Sequence, residues 1–500
     1  MQQYVLGLDV GTTAIKGVLL DERRRVLASV SREHRQYFPQ PGWVEQDPEE
    51  LLESCLHLTS ALMEQCGLRS GEIRALGLDH QGETCLIWDK KTGVPVYPAI
   101  TWQDRRMAAR SDAYALAHGE EIRNITGLRP DSYYSAWKIR WILDHVKDGQ
   151  RRAENGELLA GTLNTWLIWK LTGGASFVTD EGSAGCTMLT DPRVVGWNPW
   201  LLQQMEIPAC LLPVICPADA SLGWTDEKIY PAGRVEIRGS LTDCAAGIIA
   251  TGVPVQGGFV TTYGTGNFMH LTTGERYVPP QQGLTASCCY ATSFGRVCQL
   301  NGINYTAGSA LQWLRDGLGL FSHVSEIEPL ATSVKDCAGV SFVPALNGLA
   351  TPFWDQSARG AFLGMTAGTT RAHLVRAVLE SSALQVGNCA AMMEQVSGVK
   401  ASHMIAMGGM TKNAFLMQLQ ADLLGMPVHL PRETEPAYGA ACFALAGCMG
   451  TDPALAGNAN ETVRVYEPHM SQQERDEKIG YWRYATERCL HWHPDKNDGE

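Results

Sequence analysis

Asp9 comes near the end of an apolar run, "YVLGLDV" (Tyr4 to Val10), and is followed by Gly11, Thr12 and Thr13, with Lys16 three residues further on. Small residues let backbone N–H groups come close to a phosphate oxygen, and threonine hydroxyls add donors. A carboxylate beside such a turn can hold Mg²⁺ through its waters, because magnesium favours carboxylate, water and phosphate oxygens together. Lys16 would add positive charge. Taken alone, the same residues could form an ordinary hairpin. A second copy of the design favours phosphate: "GGFVTTYGTGNFMHLTTG" (Gly257 to Gly274) again places Gly264 and Thr265 between two apolar strands. Phosphoryl transfer needs phosphate holders, a metal and a base for the attacking hydroxyl. The chain has no GxxxxGK[ST] run, and no GxGxxG between a strand and a helix, so the two hairpins are the remaining phosphate holders.

The elements that must position these residues alternate between strand and helix, an α/β pattern. "VLGLDV" and "GVLLD" read as the arms of the first hairpin. Asp47-Pro48-Glu49-Glu50 starts a helix, with Asp as N-cap and Pro at the first helical position. "IRALGLDHQ" reads as a strand, and "CLIWDKKTGVPVY" as a hairpin around Lys90 to Gly93. Helices are predicted near Trp137–His145 and Leu163–Leu171, and a long one follows Thr370. "SHMIAMGGMTKNAFLMQLQADLLG" reads as strand, Gly-Gly turn and helix. Two halves that each open with strand, Gly/Thr turn and strand suggest a duplicated domain with a cleft between, the boundary falling near residues 245–255.

At ~100–200 residues per domain, 500 residues suggest two or three domains. With 45% hydrophobic and 19% charged residues the chain can bury a large core. A formal net charge of -12 argues against nucleic acid or an anionic membrane as partner, since those are met by basic patches. No basic n-region followed by an apolar h-region opens the chain, and no stretch reads as a membrane span. Fifteen scattered cysteines then read as reduced thiols of a cytoplasmic protein. The tail "CLHWHPDK" (Cys489 to Lys496) reads as a solvated terminus rather than a metal cluster.

Taken together, the motifs "GLDVGTT", "GWVEQDPEEL", "WDKKTGVPVYPAITWQDRR", "ITGLRPDSYYSAWKIRWILD", "GTLNTWLIWKLTGG", "TTYGTGNF", "AGSALQWLRD", "NGLATPFWDQSARG" and "GMTAGTTRAHLVRAVLES" resemble the FGGY family of carbohydrate kinases, and within it the glycerol kinases, from Gly7 to about Gly447. The resemblance implies two actin-like (RNase H-like) ATPase domains, 1–248 with the acceptor side and first phosphate loop, and 249–500 with the nucleotide side. ATP and a small polyol or sugar would meet in the central cleft, with Mg²⁺ at Asp9. Gly11, Thr12, Thr13 and Lys16 are similar to the family's first phosphate loop, and Gly264 and Thr265 to the second. Gly308, Gln312, Gly408, Gly409 and Asn413 match the nucleotide side. Asp243 in "GSLTDCAAG" falls where the family keeps its catalytic base. Glu83, Trp102, Tyr133, Asp243, Cys244 and Phe268 fall around the acceptor. A homodimer is also implied.

Two positions depart from the glycerol kinases. Gly82 stands where they carry an Arg, and Cys244 where they carry a Gln. A guanidinium offers rigid, multiple donors to hydroxyls, and a thiol is a poor donor beside an amide. The expectation from sequence is therefore a kinase for a terminal hydroxyl of a small polyol or sugar other than, or larger than, glycerol. Glycerol itself is the alternative. A non-catalytic actin-like ATP switch is the remote one. A switch would share the hairpins but would have no need of Asp243 or of the Glu83, Trp102, Tyr133 and Phe268 set.

Overall fold

In β1 (Tyr4–Val10) every residue after Tyr4 is buried, because both faces of the strand are covered. Leu6, Leu8 and Val10 join one core, and Val5, pointing the opposite way, joins another. β2 (Ala14–Leu20) returns antiparallel, so the first Gly/Thr turn is a true hairpin, and β3 (Val26–Glu33) pairs with β2. α1 (Pro48–Cys66) starts as its sequence dictates, the Asp47 carboxylate accepting the Glu49 N–H at 2.9 Å. Its Leu51, Cys55, Leu58 and Leu62 stripe covers one face of the sheet. β4 (Ile73–His80) and β5 (Glu236–Thr242) complete the sheet in parallel, giving the order β5-β4-β1-β2-β3. This computed structural model describes residues 4–453, 455 and 460–492. The tail from His493, which holds part of the terminal His run, lies outside them.

α2 (Asp243–Thr251) leads into the second sheet. β6 (Gln256–Tyr263) and β7 (Asn267–Gly274) form the second hairpin, and β8 (Thr285–Thr292) and β9 (Gly295–Asn304) extend it. After α3 (Gly308–Asp316) and α4 (Arg371–Ser397), β10 (Met404–Met407) and β11 (Val428–Pro431) add in parallel, and β12 (Thr462–Tyr466) closes the edge. The order is β8-β9-β7-β6-β10-β11-β12. The run β9-β7-β6-β10-β11 repeats the pairing of β3-β2-β1-β4-β5: two antiparallel partners on one side of the first strand, two parallel partners on the other. The duplication seen in the hairpins thus extends to whole sheets.

The uncovered face of the first sheet is closed by α5 (Pro436–Met449), a helix from the far end of the chain. It approaches closely because glycines face it. A Cβ on Gly7 would fall on the carbonyl oxygen of Ala437, one on Gly77 on that of Ala440, and one on Gly439 on that of Ala246 in α2. Glu45–Gln46, ahead of α1, and three strands between β4 and β5 build a separate layer, a four-stranded sheet with its own core around Trp137, Ile139 and Trp141.

In that layer the hairpin expected around Lys90 to Gly93 forms. After Cys85–Asp89 the chain returns antiparallel: Asp89 N–H donates to the Val94 carbonyl at 3.0 Å and Val96 N–H to the Ile87 carbonyl at 2.9 Å. The other edge of Cys85–Asp89 pairs antiparallel with Leu158–Thr162, while on the returning side Trp88 bridges Pro95 and Cys85 is level with Ile100. The Asp89 side chain does make the expected turn, accepting from Lys91 and Thr92 N–H. Pro95 and Pro98 have no N–H, so the ladder on the returning side is interrupted there. Among the described residues no helix is long and apolar enough to cross a membrane. All fifteen cysteines are unpaired.

Candidate active site

Strand register puts three charged side chains in one row. Across the first sheet, Asp79 on β4 is level with Asp9 on β1, and Asp9 with Lys16 on β2. Asp243, the first residue of α2, follows directly after β5, whose Leu241 is level with Asp79. Burial and the charge of Asp243 push the Asp9 carboxyl up to about 7, while Lys16 pulls the other way. Burial and the charge of Asp9 push Asp79 well above the usual carboxylate range. One oxygen of Asp9 and both of Asp79 are buried without a hydrogen-bond donor. Three converging acids, two of them with orphaned oxygens, and one lysine leave negative charge to be balanced, and this fits a divalent cation. Among the described residues no three His, Cys, Asp or Glu side chains form a closed metal cage. Mg²⁺ bound by one or two carboxylates, water and phosphate needs no such cage. Lys16 is held by Glu435, at the N-terminal end of α5, so the first hairpin is tied to the helix that covers the first sheet.

Asp243 lies deep in the molecule yet keeps open surface, as does Cys244; such side chains line a cleft. Burial raises the Asp243 carboxyl, and the Cys244 N–H, 2.7 Å from Oδ1, together with the Cys244 thiol, counters part of that rise. The Thr242 side chain caps α2 by accepting from Ala245 N–H, which fixes where Asp243 emerges.

Glu83 follows β4 by three residues and is buried. Burial raises its carboxyl to about 7, against the charge of Lys138 and hydrogen bonds from Tyr133 and the Cys186 thiol. Its backbone carbonyl accepts from Ser135 Oγ at 2.9 Å and Lys138 Nζ at 3.2 Å. Trp102 stands edge-on to Tyr133 with ring centroids 5.9 Å apart. Its indole N–H donates to Thr12 Oγ1 at 2.9 Å, joining the Trp102–Tyr133 pair to the first hairpin. The Gln81 amide donates to Gln46, whose own amide donates to the Thr12 carbonyl. Phe268 lies on β7 in the second half and is 36% exposed. Among the described residues it makes no ring contact with Trp102 or Tyr133.

The second hairpin lines a cavity of about 420 Å³. Gly264, Thr265, Gly308, Gln312, Gly409 and Asn413 all border it. The first turn of α3 is stitched to the hairpin: Ala307 N–H donates to the Thr265 carbonyl and Gly308 N–H to the Gly264 carbonyl. A Cβ on Gly308 would sit 2.5 Å from the Gly264 oxygen. Gly408, at φ 98°, packs its Cα against the backbone of Tyr263. The Asn413 side chain caps the following helix, accepting from Leu416 N–H at 2.9 Å. Its structural task and its place on the cavity wall coexist.

Reasoning from sequence does not single out Asp79, Lys138, Cys186 or Glu435. Asp79 has a signal: "LGLD" occurs twice, at Leu6–Asp9 and Leu76–Asp79, so two like strands each carry an acid to the same height. Lys138, Cys186 and Glu435 reach the site through tertiary packing and carry no comparable local mark.

Two sheets of repeated topology, each opening with a Gly/Thr hairpin, with buried acids by one hairpin and a cavity by the other, define a phosphoryl-transfer enzyme of the actin-like ATPase fold. The chain belongs to the FGGY family of carbohydrate kinases, matching its N-terminal domain over residues 4–250 and its C-terminal domain over 259–448. It is an ATP-dependent carbohydrate kinase. It is 41% identical to glycerol kinase 2 of Thermotoga maritima over 493 residues, 98% of this chain and 99% of the relative. It is 40% identical to a glycerol kinase of Carboxydothermus hydrogenoformans, again covering 98% and 99%. The crystal structure of Plasmodium falciparum glycerol kinase with ADP superposes with a TM-score of 0.93 at 30% identity, covering 98% of each chain.

Proposed function

We propose that the chain transfers the γ-phosphoryl group of ATP to a terminal hydroxyl of a small polyol, and that glycerol is its acceptor. The observation that carries this reading is the convergence of Asp9, Asp79 and Asp243 below the first hairpin, beside an acceptor wall of Glu83, Trp102 and Tyr133. The names of the relatives at 40–41% identity support glycerol.

In this reading Asp243 accepts the proton of the attacking hydroxyl as the new O–P bond forms and the bond to the ADP oxygen breaks. Burial brings its basicity nearer to neutral pH, where a general base works best. Glu83, held by Lys138, Tyr133 and Ser135, orients the acceptor through its hydroxyls. Gly11, Thr12 and Thr13 on one side, and Gly264 and Thr265 on the other, hold phosphate oxygens. Gly308, Gln312, Gly408, Gly409 and Asn413 face the nucleotide. Asp9 and Asp79 would hold Mg²⁺ through water, and the ion would supply charge neutralisation at the β- and γ-phosphates. A homodimer, in the cytoplasm, remains part of the proposal, and light scattering on the purified chain tests the oligomeric state.

A second reading, a four- to six-carbon polyol or ketose, is favoured by Gly82 and Cys244. The room at Gly82 is smaller than the sequence suggests, because the Cys186 sulfur stands 3.0 Å from where a Cβ would be. The deciding experiment measures ADP formation and kcat/KM over C3 to C6 polyols and ketoses. Glycerol at the top of that series supports the first reading. A larger acceptor ahead by about tenfold or more, the worth of one unpaired hydrogen bond, establishes the second.

A further inference from the structure

We infer that Cys186 determines acceptor size, its sulfur taking from a neighbouring helix the space that a side chain at position 82 would enter. This rests on the proposed acceptor reading of Glu83. Gly82 does not have a left-handed backbone, so glycine is not required there by conformation. A Cβ on Gly82 would meet the Cys186 Sγ at 3.0 Å, then Thr242 Cγ2 at 3.7 Å and Cys186 Cβ at 3.8 Å. The tight contact is one sulfur atom. The missing side chain at 82 and the thiol at 186 are therefore two halves of one packing arrangement.

Cys186 is fixed in place. It ends the short helix Glu181–Gly185, with its N–H donating to the Gly182 carbonyl at 3.3 Å. Its own carbonyl accepts from Ser135 N–H at 3.4 Å, the first residue of the helix Ser135–His145. Ser135 and Lys138 of that helix hold the Glu83 carbonyl, so the sulfur is set against the segment that carries Glu83. The thiol also hydrogen-bonds the Glu83 carboxylate, as the Cys244 thiol does that of Asp243. Each acceptor-facing acid is thus flanked by a thiol, which fills volume while donating only weakly. Removing the sulfur opens room beside Glu83 for a fourth carbon and its hydroxyl. Enlarging the side chain closes it.

The test uses the full chain with ATP, Mg²⁺ and glycerol, erythritol or ribitol. Cys186→Ala is expected to raise the erythritol-to-glycerol ratio of kcat/KM by about tenfold, as one methylene's worth of space commonly does. Cys186→Leu is expected to lower it, with the KM for ATP unchanged in both. Melting temperatures of Gly82→Ala, Cys186→Ala and the double variant form an independent cycle. Gly82→Ala should destabilise the wild type and do so less when Cys186 is Ala. Folded Cys186 variants with an unchanged acceptor ratio overturn the inference, and so does strict additivity in the cycle. A wild type that phosphorylates none of the acceptors defeats the acceptor reading instead, and leaves coupling between 82 and 186 to be read from the melting temperatures.

Discussion

The acids at the centre of the molecule are held in the folded state at a cost to its stability, and that cost is measurable. Asp9 titrates at about 7 in the folded chain against 3.8 as an unperturbed group, through burial and its acidic neighbours. A raised carboxylate gives its full stabilisation below the unfolded value and loses it as pH rises through the folded value. Asp9→Asn keeps the shape and removes the charge, and also takes one repelling charge from Asp79. Its melting temperature, measured without nucleotide or metal, is expected to match the wild type near pH 4 and to exceed it increasingly up to pH 8. Every tenfold difference in proton affinity between the folded and unfolded chain is worth about 1.4 kcal/mol, so the gain should be on the order of a few kcal/mol. The same variant should have lost nearly all kinase activity. A wild type as stable as the variant at pH 8 would show that Asp9 is not strained. Asp243→Asn tests a different property, the capacity to take a proton. General-base catalysis contributes about 10²–10⁴-fold, and kcat is expected to fall by that factor with the KM for ATP nearly unchanged. Near-normal turnover would mean that another group is the base.

At the scale of elements, the acids depend on how closely α5 lies on the first sheet. Gly77 is two residues before Asp79, and its Cα faces the Ala440 backbone of α5 with no room for a methyl group. Gly77→Ala cannot be absorbed by a side-chain rotation, because the obstacle is backbone. Overpacking of this kind costs about 1–3 kcal/mol or more. The variant is expected to melt lower and to lose activity through displacement of Asp79, although residue 77 itself touches no substrate. Circular dichroism melting together with kcat checks both, and an unaltered melting temperature would mean that α5 moves away freely. The hairpins and the start of α1 are legible in the sequence because each is written in a few adjacent residues. The 85–97 hairpin is legible for the same reason, whereas the pairing of the other edge of Cys85–Asp89 with Leu158–Thr162, some seventy residues on, is not. The cover of the first sheet by α5 is not legible either. Glycines at 7, 77 and 439 are visible in the sequence, but what approaches them is decided only when the chain folds.

Over the whole molecule the two hairpins belong to different halves, which ion pairs such as Lys16–Glu435 and Arg296–Glu181 link. Lys16 of the first hairpin is engaged by Glu435 at the start of α5, while Thr12 is tied to Trp102 on the acceptor side. A phosphate arriving at the first hairpin would compete with Glu435 for Lys16, and an acceptor arriving beside Trp102 would bear on the same hairpin. Both substrates thereby act on one loop, which a kinase needs and an ATP switch does not. Water is also an acceptor of phosphate, and an enzyme restrains hydrolysis by assembling its site only when the proper acceptor is present. Glu83 is buried with its carboxyl raised to about 7, and polyol hydroxyls that donate to it favour its carboxylate form, the proton leaving to solvent, whereas an empty cleft supplies no such donors. ADP release is therefore expected to be slow with ATP and Mg²⁺ alone and to rise by about a hundredfold or more when the best polyol is added, the scale of proximity and orientation effects being ample for this. Glu83→Gln should lower the polyol-stimulated rate while leaving the acceptor-free rate where it was. A coupled assay for ADP, run with and without acceptor on both proteins, checks this. Equal rates with and without every acceptor would place the chain's function with the ATP switches that share its hairpins, and would remove the task assigned to Glu83, Trp102 and Tyr133.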